Sequence, residues 1–405
     1  MDPRLRGDDS GRISLMGFLA SRTARIKPSA SSGAAQRARE LRAAGRDIVN
    51  LGQGEPDFPT PDHIIEAATK AMRAGETRYT DTDGTPQLKE AVAAKFLREN
   101  GLRYTTKEIS VGSGGKQVIF NALMATLDAG DEVVIPAPHW VSYPEMVAFA
   151  EGTPVVVQTE NFKLTPARLE AAITPRTKWL ILNAPSNPAG AVYSEAELRA
   201  LAAVLERHRQ VWVLSDDMYE HILFDGRRYA TMAQAAPQLA ERTLTVNGVS
   251  KAYAMTGWRI GYGAGPAHLI KAMAVLQSQS TANPSSIGQA AAVAALTGPQ
   301  DIVRMRCAEF ERRRDAIGPK LGAIPGLACE MPAGAFYFYV SCAGLMGKKL
   351  KQDTDVALYL LDEGVALVAG TPYGLSPYFR VSFATSMENL DEACRRIAGA
   401  VGKLA

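Results

Sequence analysis

The chain has 405 residues, and its 46% hydrophobic content is enough for one large core or two unequal domains. Forty-five basic against 42 acidic residues leave a formal charge of +3, too balanced for a nucleic-acid-binding surface. No run reaches the length of a membrane span, the five histidines are scattered without a metal-site spacing, and Cys307, Cys329, Cys342 and Cys394 form neither a zinc pair nor a disulfide framework, so a reducing cytoplasm is the expected compartment.

Residues 1–15 are charged, contain glycine and show no apolar period. They lack the continuous apolar core of a signal peptide and are expected to be a disordered extension or the product of an upstream start codon, with Met16 the better start. From Ser31 to Ala44 an alanine-rich helical pattern runs through Gln36, Arg39 and Glu40 to Gly45, a natural stop. Strands then alternate with helices, which predicts a mostly parallel sheet covered on both faces. The units are Ile109 to Gly112 with a helix from Lys116 to Leu127, then Glu132 to Pro136, Val155 to Gln158, Trp179 to Leu182 and Val211 to Leu214. Helical tracts follow from Pro266 to Leu276 and from Ile287 to Leu321. Near the end, Gly334 to Val340 and Tyr378 to Phe383 alternate and are aromatic, as strands of a smaller sheet would be.

The loops after these strands carry the chemistry. Gly112-Ser113-Gly114-Gly115, with Lys116 beside it, lies between a strand and a helix, where backbone N–H groups and the helix's positive end can cradle a phosphate. Asn187 follows the apolar run ending at Leu182, and Asp216 and Tyr219 follow the next one; in an open parallel sheet such tips line one crevice. A turn asparagine, a helix-capping aspartate and a half-buried tyrosine explain each of these singly, so their joint order before Ser250-Lys251 carries the argument. Lys251 sits among small, hydroxyl and apolar residues, where an ammonium is poorly solvated and the amine can act as a nucleophile toward an aldehyde. Arg259, eight positions on, can hold a phosphate by a charge-assisted fork. That combination fits pyridoxal 5′-phosphate. A carboxylate such as Asp216 keeps the pyridine nitrogen protonated, and Asn187 and Tyr219 can bond to the phenolic oxygen. Arg380 lies within an apolar and aromatic strand, where an unpaired guanidinium is costly and an anion is needed. No strand leads into a GxGxxG turn with a later acidic residue, which argues against a nicotinamide dehydrogenase.

The order Asn187-Pro-x-Gly, Asp216-x-x-Tyr219, Ser250-Lys251, Arg259 and a late Arg380 resembles the class I aminotransferases of pyridoxal phosphate fold type I. The likeness extends from about Met16 along nearly the whole chain. Gly52-Gln-Gly54-Glu-Pro-Asp-Phe58, Tyr79 to Pro86, Gly112 to Gln117, Trp140-Val-Ser-Tyr143-Pro and Thr245 to Gly248 are most similar to the prokaryotic-type aspartate aminotransferases, some of which also transaminate prephenate to arogenate.

The resemblance implies an α/β fold with a large domain around a mostly parallel sheet and a smaller α+β domain. Its boundaries would be an arm and part of the small domain at 16–62, the cofactor-binding domain at 63–300 and the small C-terminal domain at 301–405. It implies a homodimer with composite sites, with Tyr79 reaching the phosphate in the neighbouring subunit. It further implies that Trp140 stacks on the pyridine ring, that Arg380 takes the substrate's α-carboxylate and that the Gly54 backbone touches substrate. The activity implied is ping-pong transfer of the amino group of L-aspartate or glutamate to 2-oxoglutarate, oxaloacetate or prephenate. An aromatic or broad-range aminotransferase keeps every catalytic residue and is the alternative. Ser278 to Pro284 holds no arginine, so a distal carboxylate needs another cation, for which Lys27 and Lys116 are the candidates. Gln53, Ala189, Asp217 and the segment Val368 to Gly374 depart from the family's usual residues without removing a catalytic group.

Overall fold

The computed structural model describes residues 18–347 and 349–404. The expectation for residues 1–15, and that for a start at Met16, lie outside the described residues. The alanine-rich pattern near the N-terminus forms the helix Ala30–Ala43.

In chain order the first strands are β1 (Val49–Asn50), β2 (Ile109–Gly112), β3 (Glu132–Ala137), β4 (Thr153–Gln158), β5 (Thr177–Asn183), β6 (Trp212–Asp216), β7 (Thr243–Gly248) and β8 (Gly261–Ala264). All but β1 join one sheet in the order β2-β8-β7-β6-β5-β3-β4. Strands β3 to β7 pair in parallel, while β8 runs antiparallel to both β7 and β2. The reversal has a local cause. Residues 249–260 hold turns and the short 3-10 segment Thr256–Trp258, with no crossover helix to carry the chain back for a parallel strand.

Alternation along β5 shows why the sheet is covered twice. Trp179 and Ile181 pack with Val118, Tyr143 and Met273 from helices on one face, whereas Leu180 and Leu182 pack with Leu198, Leu201 and Leu205 of the helix Glu195–Arg207 on the other.

The remaining strands are β9 (Tyr337–Ser341), β10 (Val365–Ala366), β11 (Val368–Ala369) and β12 (Tyr378–Ser382). β1 pairs with β10 in parallel, and β11-β12-β9 form an antiparallel sheet in which Arg380 faces Tyr339 and Val368. Phe379 and Val381 join a core with Phe310, Ile317, Leu390 and Ile397, so the intervening Arg380 is turned to the opposite face.

One expectation needs correction. The tract 287–321 is two helices, Ser286–Thr297 and Asp301–Gly322. Between them stand Gly298 and Pro299, and proline has no N–H to continue the helical ladder.

The first residue of β8 is packed against the glycine loop that precedes the helix Gly115–Thr126. A Cβ on Gly261 would lie 2.1 Å from the Gly115 backbone nitrogen, a clash of backbone with backbone. Gly261→Ala is therefore expected to lower stability by about 2 kcal/mol or more in equilibrium denaturation; an unchanged midpoint would show that the two segments separate freely.

Candidate active site

The C-terminal ends of the parallel strands meet in a cavity of about 210 Å³. Asn183 ends β5 beside Asp216 at the end of β6. Its side chain ties both tips together, donating from Nδ2 to the Asp216 carbonyl at 2.9 Å and accepting the Asn187 N–H on Oδ1 at 2.8 Å. Asp216 is buried, and burial pushes its carboxyl up to about 6. The Tyr143 hydroxyl and the Met218 N–H both donate to this carboxylate and oppose that rise.

Lys251 follows β7 by three residues, in the turn that reverses the chain into β8. Its Nζ donates to the Gly54 carbonyl at 2.5 Å. Burial brings the amine down to about 8; Glu55 works against the shift, and Arg380 and Arg259 add to it. The residue has thus become a weak base that can exchange a proton near neutral pH.

At one end of the cavity the helix Gly115–Thr126 begins. Gly114 has φ +87°, and a Cβ there would lie 2.3 Å from Nη2 of Arg259. Arg259 itself adopts φ +56°, a strained conformation for a side-chain-bearing residue, and donates to the Thr256 and Ser113 carbonyls at 2.9 and 3.2 Å. Lys116 Nζ lies 4.8 Å from the Trp140 ring, and burial together with Arg259 holds its amine below the ordinary lysine range. Among the described residues no carboxylate forms a salt bridge with Lys116 or Arg259. Two cations and a helix N-terminus therefore converge on a space that only an anion would balance.

At the other end stands Arg380, 1% exposed. It donates from Nη1 to Asn187 Oδ1 at 2.9 Å and from Nη2 to the Gly52 carbonyl at 2.8 Å, while its buried Nε has no partner. The guanidinium lies 4.5 Å over the Tyr337 ring, whose hydroxyl is 2.8 Å from that of Tyr219. Among the described residues no carboxylate forms a salt bridge with Arg380, which leaves it open to the anion expected there.

The cavity thus brings together Gly54, Gly115, Lys116, Trp140, Asn187, Asp216, Tyr219, Ser250, Lys251, Arg259 and Arg380. Gly114 adjoins Arg259 behind the lining. Two residues lie apart. Tyr79 is 92% exposed and does not line the cavity. Lys27 lines a neighbouring space of about 550 Å³, which shares Lys116 and Arg259 with the first, and its backbone N–H donates to Glu145 Oε2 at 2.7 Å. Sequence reasoning assigned no role to Tyr143 or Tyr337. Tyr143 had a signal, since it stands three residues after Trp140 and enters the helix Ser142–Phe149. Tyr337 had none, because its contacts with Tyr219 and Arg380 join distant segments.

Against known proteins, the family model described as aminotransferase class I and II matches residues 46–397. The chain is 57% identical to the aspartate/prephenate aminotransferase of Cereibacter sphaeroides, over 94% of this chain and 98% of that protein. It is 55% identical to an aspartate aminotransferase of Rhizobium meliloti, over 95% and 96% of the two chains. Among solved structures, the aspartate aminotransferase from Rhizobium meliloti superposes with a TM-score of 0.92 at 55% identity, covering 96% of this chain and 99% of that one. The Thermus thermophilus aspartate aminotransferase with maleate gives 0.89 at 45% identity, with 94% and 99% covered. With a doubly covered, mostly parallel sheet whose strand tips hold a lysine of lowered basicity between two anion-seeking ends, the chain belongs to the class I and II aminotransferases.

Proposed function

We propose that this aminotransferase uses pyridoxal 5′-phosphate and moves the amino group of L-aspartate or glutamate to 2-oxoglutarate or oxaloacetate, with prephenate as a further acceptor. The observation that carries the reading is the buried, acid-free Arg380 in the same cavity as Lys251. A guanidinium removed from water needs a charge partner, and an amino acid's α-carboxylate supplies one beside the amine that acts on its α-carbon.

The residues fit the cofactor. Gly114, Gly115, Lys116 and Arg259 make a cradle that added Cβ atoms would fill, with positive charge left over for a phosphate. Asp216 would hold the pyridine nitrogen, Trp140 would cover the ring, and Asn187, Tyr219 and Ser250 would complete the lining. When bound, pyridoxal phosphate supplies an aldehyde that condenses with amino groups and a ring that stores the electron pair left by the broken α-C–H bond.

The chain's own groups do the rest. Arg380 orients the substrate through its α-carboxylate. Nζ of Lys251, with its pKa near 8, takes the α-proton and returns it to a neighbouring carbon. Tyr143 and the Met218 N–H hold the Asp216 carboxylate in its charged form. We further propose that residues 63–300 form the body that holds the cofactor and that the small domain, 301–405 with part of 16–62, closes over it and excludes water.

For the distal carboxylate, Lys116 and Lys27 line one shared space beside the cavity, which supports them as the cations that replace an arginine in 278–284. The names of the relatives at 57% and 55% identity support the dicarboxylate choice. The exposure of Tyr79 supports a homodimer in which it serves the neighbouring copy.

The deciding experiment is the absorbance of the purified protein with pyridoxal phosphate. Aspartate should bleach the band of the lysine-bound cofactor, and 2-oxoglutarate or prephenate should restore it; bleaching by aromatic but not acidic amino acids would reassign the enzyme to the broad-range aminotransferases. Arg380→Lys is expected to reduce kcat/KM by about 100-fold for every amino acid, because a point charge cannot replace a planar fork. Lys27→Ala should lower kcat/KM roughly tenfold for dicarboxylates and prephenate while sparing neutral substrates. Equal losses in steady-state kinetics across both groups would remove Lys27 from substrate selection.

A further inference from the structure

We propose that Gln277 and Gln289 are positioning residues that fix the segment 80–85 as a rigid mount for Tyr79, so that their effect is felt in the neighbouring copy's cavity. This rests on the composite-dimer reading above.

Tyr79 is exposed midway along the loop between the helices Asp62–Arg73 and Pro86–Asn100, whose second half, 80–85, is largely half-buried. Such loops are usually mobile, because their backbone groups bond to water. This one is bonded to the protein interior instead. Gln289 is 0% exposed; its Oε1 accepts the Thr85 N–H at 2.7 Å, and its Nε2 donates to Thr80 Oγ1 and the Pro284 carbonyl, both at 3.0 Å. Gln277 is 1% exposed; its Nε2 donates to the Thr82 carbonyl at 2.6 Å and to the Val111 carbonyl at 2.8 Å, and its Oε1 accepts from Asn121 at 2.9 Å. The Asp83 carbonyl accepts the Val111 N–H at 2.8 Å, and the Asp83 side chain pairs with Lys89 at 3.0 Å.

Burying two primary amides is costly unless their donors and acceptors are used, and here Gln289 reaches the segment through Thr80 and Thr85 and Gln277 through Thr82, their other bonds going to Pro284, Val111 and Asn121. Val111 lies in β2, the strand that runs into the glycine turn of the site. The loop therefore shares a frame with the phosphate cradle of its own chain, yet Tyr79 stands outside that chain's cavity. A rigidly mounted side chain that its own site does not use is suited to a site on a second copy.

The test uses hybrid dimers reconstituted with pyridoxal phosphate, in which one copy carries Lys251→Ala so that the absorbance of covalent attachment reports only the other copy's cavity. Placing Gln277→Met or Gln289→Met in the Lys251→Ala copy should weaken cofactor affinity at the intact Lys251 about tenfold, by loss of the mount. Placing Gln289→Met, whose amide bonds to neither β2 nor the helix Gly115–Thr126, in the copy that keeps Lys251 should leave affinity near that of the unsubstituted hybrid, and this arm also shows that the variant chain folds. Loss in the second arrangement, or in neither, overturns the proposal. Tyr79→Phe in the Lys251→Ala copy separates the two levels: a loss there without one from the glutamine variants rejects the mount alone, and no loss there rejects the composite site with it.

Discussion

The contact of the β7–β8 turn with the start of the helix Gly115–Thr126 is the constraint on which the site depends. Because there is no room for a side chain on Gly261 beside the Gly115 nitrogen, the turn ends, at the start of β8, directly against the helix N-terminus. Lys251 and Arg259, towards the two ends of that turn, thereby line one cavity together with the first residues of that helix. The lack of a crossover helix in this connection, which reverses β8, is the same feature that brings the two cations to the strand tips.

Charge balance gives the cavity its chemical direction. Arg380, Arg259 and Lys116 lack carboxylate partners among the described residues, and Asp216 is held among tyrosines with its affinity for protons raised. Such an arrangement is unfavourable when empty and becomes favourable when a phosphate and a carboxylate enter at opposite ends. Binding at both ends also sets the distance between them, so the reacting carbon is presented to Lys251 rather than merely captured. Some buried charges elsewhere in the fold are paired. Buried Lys95 meets Glu220 and Glu99, and buried Arg313 meets Asp57 and Glu309.

Much of this was legible in the residues themselves, for reasons tied to particular elements. Local periodicity located β2, β5 and the helix Gly115–Thr126 to within a residue or two, because each satisfies its backbone hydrogen bonds with a short repeating pattern. The split at Gly298 and Pro299 is equally local, since a glycine followed by a proline is itself a helix-breaking signal. Asn187, Asp216, Lys251 and Arg259 were recognisable as a set because strand tips of a parallel sheet must converge.

What the sequence by itself determined was therefore the alternation of strands and helices, the family, and the residues that bring chemistry to the strand tips. The tertiary structure alone decided the neighbours that tune them. Tyr143 reaches Asp216, Tyr337 lies under Arg380 and beside Tyr219, and the Gly54 carbonyl accepts the Lys251 amine. It also decided that Arg380 has no acid partner among the described residues and that Gln277 and Gln289 grip a loop far from them in sequence. The physical reason is one of range. Helix and strand periods are written in neighbouring residues, whereas the proton affinity of a buried group depends on whichever distant side chains and carbonyls replace the water it has lost.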